Sequence, residues 1–254
     1  MKITAIIITL NEEKKLAGCL ESLSGIADEI VIVDSGSTDG TESIARRFTD
    51  KFYFNKWPGY AGQKNLAAER SSSDWILSLD SDERLSEQLK RSIAGIKSAT
   101  AQAPAYRVPR KTFYLGRWIE HSGWYPDRKT RLYDRRRARW DGDFVHESLL
   151  VDGETQDLSG DLLHYSIDSV FDHAKTANRY TDLAAQELSA KNRRAGFADL
   201  LFLPPITFFK SYILQQGFRD GLPGLSIASF ASFYVFMKYM KLWEMQNNKS
   251  GTDL

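Results

Sequence analysis

The sequence predicts an α/β protein: a mostly parallel mixed sheet flanked by helices, with a C-terminal helical extension. Two observations carry that prediction. Apolar, β-branched runs alternate with helix-period segments through the first hundred residues, the order that builds parallel strands joined by helical crossovers. The tail from about residue 200 then turns strongly apolar. The composition, 42% hydrophobic and 26% charged over 254 residues, excludes a disordered or collagen-like chain. The length fits one large domain, or one domain with an appendage.

Residues 3–10 form a largely β-branched run bounded by a polar turn, which suits a buried parallel strand. Residues 12–23 place Leu16, Leu20 and Leu23 at helical spacing. Ile30-Val31-Ile32-Val33 is a second buried strand, followed by Ser35-Gly36-Ser37-Thr38-Asp39-Gly40, a tight turn with good helix-capping residues. A helix over 42–48, a weaker strand over 51–54, a helix over 63–71 and a fourth strand over 75–79 complete the first half. In such a sheet, functional residues belong at the carboxyl ends of the strands. Short strands and loops after about residue 104 complete the sheet, and 168–191 reads as a helix.

Lys and Arg number 34 against 33 Asp and Glu, a net charge of +1. That balance, with no nucleic-acid motif, argues against nucleic acid as a partner. The charge is uneven, however. Residues 107–139 hold eleven basic and three acidic residues, interleaved with aromatics such as Trp118, Trp124 and Tyr133. This segment suits an anionic acceptor with sugar faces stacked on the aromatics, an anionic membrane surface, or a solvated face. The lone Cys19 excludes an internal disulfide and a four-Cys zinc site, and its place among helix leucines suits packing. The N-terminal apolar run is too short for a secretory signal, so the chain is expected in the cytoplasm.

In the tail, residues 221–237 carry no charge, 17 residues at the short limit for a span of about 20. Ser226, Ser229 and Ser232 dilute the run, and Lys238, Tyr239, Lys241 and Trp243 follow as a cationic, aromatic collar. A helix lying in the membrane interface is the preferred reading, ordinary packing the second and a span the third. The expected domain plan is 1–195 for the catalytic domain (halves 1–103 and 104–195), 196–246 for the apolar tail and 247–254 for a disordered end.

Four motifs carry chemistry. Leu79-Asp80-Ser81-Asp82-Glu83 ends an apolar strand in two carboxylates one residue apart. Positions i and i+2 of extended chain share a side, so Asp80 and Asp82 suit one hard divalent cation; an acidic surface turn is the plain alternative. Asp34 ends the second strand beside small residues and a helix start. It can accept from a base N–H or a ribose hydroxyl, or simply cap the turn. Asn11-Glu12 ends the first strand. Lys64, in Gly62-Gln63-Lys64-Asn65, suits a phosphate, though alone it reads as solvated. Co-location favours the functional readings, because a doubly wound sheet gathers its strand ends into one crevice.

These motifs resemble the inverting family 2 glycosyltransferases, which have the GT-A (Rossmann-like) fold, and more narrowly the bacterial lipopolysaccharide-core β-1,4-glucosyltransferase group. Ile8-Thr9-Leu10-Asn11-Glu12, Val31-Ile32-Val33-Asp34-Ser35-Gly36-Ser37-Thr38-Asp39, Gly62-Gln63-Lys64-Asn65 and Leu79-Asp80-Ser81-Asp82-Glu83 carry the superfamily resemblance. Trp140-Asp141-Gly142-Asp143-Phe144-Val145-His146-Glu147 and Gly217-Phe218-Arg219-Asp220-Gly221 suggest the subgroup. The resemblance implies a UDP-sugar donor, with Asp34 on uracil or ribose, Asn11 or Glu12 near the same nucleoside, and Lys64 near the nucleotide. Asp80 would meet ribose or metal, and Asp82 would coordinate Mg²⁺ or Mn²⁺ at the diphosphate. Inverting transfer needs a base for the acceptor hydroxyl. Glu147 is the candidate, with Asp143 and then Asp141 behind it; pairing with an upstream arginine is the structural alternative for Glu147. His164 is a lesser candidate for the metal, with core packing the commoner role for such a histidine. His146 is expected to orient the loop; His121 and His173 read as surface or packing residues.

The expected activity is metal-dependent hexosyl transfer, glucose from UDP-glucose being the first choice. The acceptor would be a lipid-linked saccharide such as lipopolysaccharide inner core, and the enzyme would be peripheral on the inner face of the cytoplasmic membrane. A sugar-nucleotide nucleotidyltransferase is a rival, weakened because Asn11-Glu12-Glu13 stand where a Gly-rich, Arg-bearing loop belongs. A non-catalytic membrane scaffold is another, weakened by the full set of carboxylates. A dinucleotide oxidoreductase fails for lack of G-x-G-x-x-G after the first strand.

Overall fold

The computed structural model describes residues 1–99, 101–142 and 147–250, the last three of these by backbone alone. The chain forms two compact units: Met1–Lys111 with Asp127–Tyr165, and Thr112–Pro126 with Ser166–Leu254. The expected boundary at 195/196 therefore falls inside the second unit, because the long helix before it packs with the tail.

In the first unit, the chain runs β1 (Ile3–Thr9), α1 (Leu16–Ser22), β2 (Glu29–Asp34), α2 (Thr41–Ala45), β3 (Phe52–Phe54), α3 (Tyr60–Glu69), β4 (Trp75–Asp80), β5 (Glu83–Leu85) and α4 (Glu87–Ser98). It continues through β6 (Ala105–Tyr114), whose end pairs with β7 (Arg117–Trp118) of the second unit's segment. Then come β8 (Asp127–Asp134), β9 (Ala138–Asp141), β10 (Ser148–Val151), β11 (Thr155–Asp157) and β12 (Leu162–His164). The main sheet has the order β3-β2-β1-β4-β8-β6-β12-β5, with β11 added on β6; β9 and β10 form a separate hairpin. The expected α/β sheet is present. Its first four strands are parallel, and the later strands join β4 and one another mainly by antiparallel pairing.

The apolar runs explain this arrangement. Ile3, Ala5 and Ile7 face one layer with Leu16, Leu20, Leu77 and Leu79, while Ile6 faces the other with Val31, Val33, Ala67 and Tyr133. A strand buried on both faces does not alternate apolar with solvated residues, and the two threonines of β1, Thr4 and Thr9, are buried with their hydroxyls donating to Glu29 and Asp34. Cys19 is fully buried in the first layer, as expected of a packing residue. Register brings the strand ends together: Thr9 stands opposite Asp34, and Ile8 opposite Asp80. The first helix is shorter than expected because Glu12 and Glu13 are drawn into the turn after β2. The Glu12 N–H donates to Thr41 Oγ1 at 2.8 Å and the Glu13 N–H to Asp39 Oδ2 at 3.2 Å.

The second unit contains α5 (Val170–Ala190), α6 (Phe197–Phe209) continuing into a π-helical turn at Lys210–Leu214, a 3-10 turn at Gly217–Asp220, and α7 (Gly221–Ser250). The Ser169 hydroxyl accepts from the Asp172 N–H and caps α5. The Gly217-Phe218-Arg219-Asp220-Gly221 motif is a packing device here. Asp220 is fully buried and accepts from the Glu120 and His121 N–H groups, with His121 Nδ1 3.1 Å from its carboxylate. A Cβ at Gly224 would lie 1.9 Å from the Gly217 carbonyl oxygen, so only glycine fits. His173 is a packing residue as expected, stacked on Phe230 at 4.0 Å with Nδ1 2.8 Å from the Tyr114 hydroxyl. Burial lowers its pKa to about 4.

Two expectations for the tail change. Asn247 to Ser250 continue α7 as helix instead of starting a disordered end; residues 251–254 lie outside the described residues. Lys241 is no headgroup collar: its ammonium binds Asp182 Oδ1 at 2.7 Å and Asn178 and Thr181 at 2.8 Å, pinning α7 to α5.

Candidate active site

The carboxyl ends of β1, β2 and β4 carry Asn11, Asp34, Asp80 and Asp82, as the topology requires. Asp34 is buried, and both of its oxygens are engaged. Oδ1 accepts from the Gly36 and Ser37 N–H groups, both at 2.8 Å. Oδ2 accepts from Thr9 Oγ1 at 2.9 Å and Ser37 Oγ at 2.5 Å. Four accepted bonds fill a carboxylate's capacity, so Asp34 here builds the turn. Asn11 adopts a left-handed backbone (φ 55°), and its side-chain oxygen accepts from the Thr38 N–H at 2.8 Å. The turns after β1 and β2 are thereby tied into one loop pair.

Asp80 lies between two cations. Arg131 Nη2 is 2.6 Å from Oδ2 and Lys64 Nζ 3.2 Å from Oδ1. Burial opposes ionisation of this carboxyl, but Arg131 and then Lys64 outweigh it and hold it well below the usual carboxylate range. Arg131 is itself buried and also binds Glu83 at 2.5 Å. Glu83 is fully buried, and its second oxygen accepts the Asp80 N–H at 3.0 Å. Burial pushes the Glu83 carboxyl up against the pull of Arg131.

Lys64 is not the solvated lysine that its motif alone suggests. It is 2% exposed, and its ammonium stands 3.2 Å from Asp80, 3.3 Å from Glu147 and 4.5 Å from the Trp140 ring centre. Its neighbours hold the frame. The Gln63 amide bridges Asn55 and Ser35, at 2.7 and 3.0 Å. The Asn65 side chain brackets the Trp140 backbone, donating to its carbonyl at 2.8 Å and accepting its N–H at 3.1 Å. Glu147 pairs with this lysine and not with the upstream arginines its alternative reading supplied. Asp143 and His146 lie outside the described residues, and Asp141 ends β9 on an exposed position.

Asp82 stands apart from the Asp80 network. Its Oδ2 lies 3.4 Å from His164 Nε2, and the Tyr165 N–H donates to the Asp82 carbonyl at 2.9 Å. The antiparallel register of β12 on β5, His164 against Glu83, sets this approach. A carboxylate and an imidazole so placed are ligand types that would suit a divalent cation such as Mn²⁺ or Mg²⁺. Among the described residues no group of three or more His, Cys, Asp and Glu side chains is placed to hold a metal alone.

Sequence reasoning missed Arg131, Trp140, Gln63 and Asn65 as site builders. Arg131 carries no local signal, because it stands in a run of cations with Arg128, Lys129, Arg135 and Arg136, and only its burial beside two carboxylates marks it. The basic segment is also reinterpreted. Arg107 and Arg128 pair with Asp157, Arg110 and Lys129 with Asp127, Arg136 with Asp134 and Arg137 with Asp152. Much of its charge is therefore met within the unit.

The chain is similar to several known proteins. A lipopolysaccharide core biosynthesis glycosyltransferase, LpsC of Rhizobium meliloti, is 35% identical over 231 residues, covering 88% of this chain and 85% of the relative. An uncharacterized glycosyltransferase of Rickettsia conorii is 29% identical over 88% of this chain and 83% of its own length. Among solved structures, Staphylococcus aureus TarS 1–349 in complex with UDP-GlcNAc aligns over 98% of this chain and 92% of that chain, at 15% identity and a TM-score of 0.47. Glucosyl-3-phosphoglycerate synthase of Mycobacterium tuberculosis with Mn²⁺ and UDP-glucose aligns over 44% and 43%, at 25% identity and 0.35. Residues 4–151 match the model of glycosyl transferase family 2. That match, together with the 35% identical relative, places the chain in family 2, and the protein is a glycosyltransferase.

Proposed function

We propose that this glycosyltransferase moves a hexose, glucose from UDP-glucose as the first choice, with inversion onto a lipid-linked saccharide such as lipopolysaccharide inner core. The observation that carries the reading is the place of Lys64, whose one ammonium faces both the strand-end carboxylate Asp80 and the base candidate Glu147. Donor-side and acceptor-side groups then share one crevice. The relative LpsC, named for lipopolysaccharide core biosynthesis, supports the acceptor class. Membership in family 2 sets aside the nucleotidyltransferase and scaffold readings.

In this mechanism the loop pair built by Asp34 and Asn11 receives the nucleoside, with Glu12 beside it. Each Asp80 oxygen already faces a cation, so Asp80 suits a ribose hydroxyl better than a second ion. Asp82 and His164 would hold Mg²⁺ or Mn²⁺, and the bound cation would supply positive charge against the leaving diphosphate. Glu147 takes the proton from the acceptor hydroxyl as that oxygen attacks the anomeric carbon from the face opposite the diphosphate. The glycosidic bond to UDP breaks with its electron pair leaving on the diphosphate oxygen. Lys64 holds Glu147 in place, and the Trp140 ring lies against the Lys64 ammonium. The enzyme would work at the cytoplasmic face of an anionic membrane, where its acceptor resides.

The test is transfer by Asp82→Asn. Its loss of activity, with folding unchanged by circular dichroism, supports the metal reading. Turnover near that of the wild type in the presence of chelator contradicts it.

A further inference from the structure

The second unit exposes apolar surface where a globular protein ordinarily hides it. On α6 and its π-helical extension, Phe202, Ile206, Phe209 and Ile213 recur at i, i+4, i+7 and i+11, one continuous stripe. Each is 43–58% exposed. The opposite side of the same helix is packed: Pro204 and Ser211 are buried, and the Ser232 hydroxyl of α7 donates to the Pro204 carbonyl. Leu214, Phe218 and Leu222 extend the exposed apolar surface past the helix end.

Along residues 191–222 the charge left without an acidic partner is positive. Between residues 191 and 222 the only acids are Asp199 and Asp220. Asp199 is held by Arg193 at 2.9 Å and Asp220 is fully buried, while Arg194, Lys210 and Arg219 are exposed. An apolar stripe edged by unmatched cations is complementary to an anionic bilayer surface.

The depth follows from spacing. Residues 197–214 are long and apolar enough to pass as a span by length and composition. Yet Asp199 and Lys210 leave ten uncharged residues between them. At 1.5 Å per residue that is about 15 Å, half the hydrocarbon thickness of about 30 Å. A helix lying flat keeps Lys210 at headgroup level, where a long cationic side chain is favoured.

We infer that the outer stripe of α6, with Arg194, Lys210 and Arg219 at its edge, is the surface by which this protein docks flat on an anionic lipid leaflet. The inference deepens the membrane-bound reading above and moves the contact from the 238–243 collar, where Lys241 is spent on α5, to α6.

The experiment is co-sedimentation of the full chain with vesicles of phosphatidylglycerol and phosphatidylethanolamine, and with phosphatidylcholine alone. The wild type should pellet with the anionic vesicles, at least tenfold less with the neutral ones, and be released by alkaline carbonate. The double variant Ile206→Asp/Phe209→Asp should lose at least tenfold in pelleting, and Trp243→Ser in the collar should lose nothing. Both changes fall on exposed residues, and circular dichroism checks folding. Pelleting by the double variant equal to wild type overturns the inference, as does resistance to carbonate, which indicates a span. A wild type that ignores vesicles but sediments as a dimer, dissociated by Ile206→Asp, overturns it in favour of a second copy on the stripe. UDP binding measured on the same samples reads the enzymatic proposal separately, so either can fail alone.

Discussion

The two units differ in what they bury and what they leave open. The first buries charge: Arg131, Glu83 and Lys64 are 4%, 0% and 2% exposed and neutralise one another around Asp80. The second buries aromatic rings around His173 and leaves Phe202, Ile206 and Leu222 in the open. Burying charge costs free energy unless each group is paired, so the first arrangement is rigid by construction. Exposing apolar surface costs little internally but favours a covering partner. The first arrangement suits the proposed reaction site and the second the proposed lipid contact.

The comparison can be broken by attacking each region in its own terms. The largest effect is expected at Glu147. Glu147→Gln should lower kcat by about 10²- to 10⁴-fold, the range of a lost general base, with UDP affinity within a few-fold of wild type. An active Glu147→Gln would move the base to Asp143 or Asp141. Next is Arg131→Met, which leaves Asp80 and Glu83 without their shared cation. A loss of about 3–5 kcal/mol is expected by denaturant unfolding, and a loss below about 1 kcal/mol would mean the network is not what holds the strand end.

The third effect concerns pH and belongs to the second unit. An unfolded histidine titrates near 6.5, whereas burial lowers His173 to about 4. Its neutral form is favoured by folding, so its contribution is complete above about pH 6.5 and is lost as the pH falls toward 4. Stability should drop over that window by up to roughly 3 kcal/mol, and His173→Gln should flatten the slope. The smallest effect should come from Phe202→Ser on the open stripe. It should change folding stability by no more than about 0.5 kcal/mol, and a larger loss would show that the stripe is covered within the molecule.

The parallel half of the sheet was legible because β1, β2 and β4 are buried on both faces, and because β2 and β4 end in carboxylates and β1 runs into the amide Asn11. Asp34, Asp80 and Asp82 drew attention as site candidates because they stand at or just past strand ends, and Lys64 because of its motif at a helix start. What lay hidden depended on pairing across long sequence separations. Arg131 looked like one of eleven basic residues, and nothing local told it apart from Arg136, which is exposed. Glu147 gained its lysine partner only through the fold, 83 residues away. Asp34 was legible as a site residue, but the four bonds that occupy it come from Thr9 and its own turn. The tail was legible as apolar, while the division between the face that packs and the face left open required Pro204 and Ser211 to be seen buried.

We propose that the strand-end crevice binds a uridine diphosphate together with a divalent cation held through Asp82. Calorimetric titration of UDP into the wild type and Asp82→Asn, with Mn²⁺ and then with EDTA, tests it most directly. Tight binding by the wild type that EDTA abolishes, that Asp82→Asn lacks and that ADP does not reproduce is the predicted result. UDP binding that is indifferent to EDTA and to Asp82→Asn, or no UDP binding at all, would contradict it.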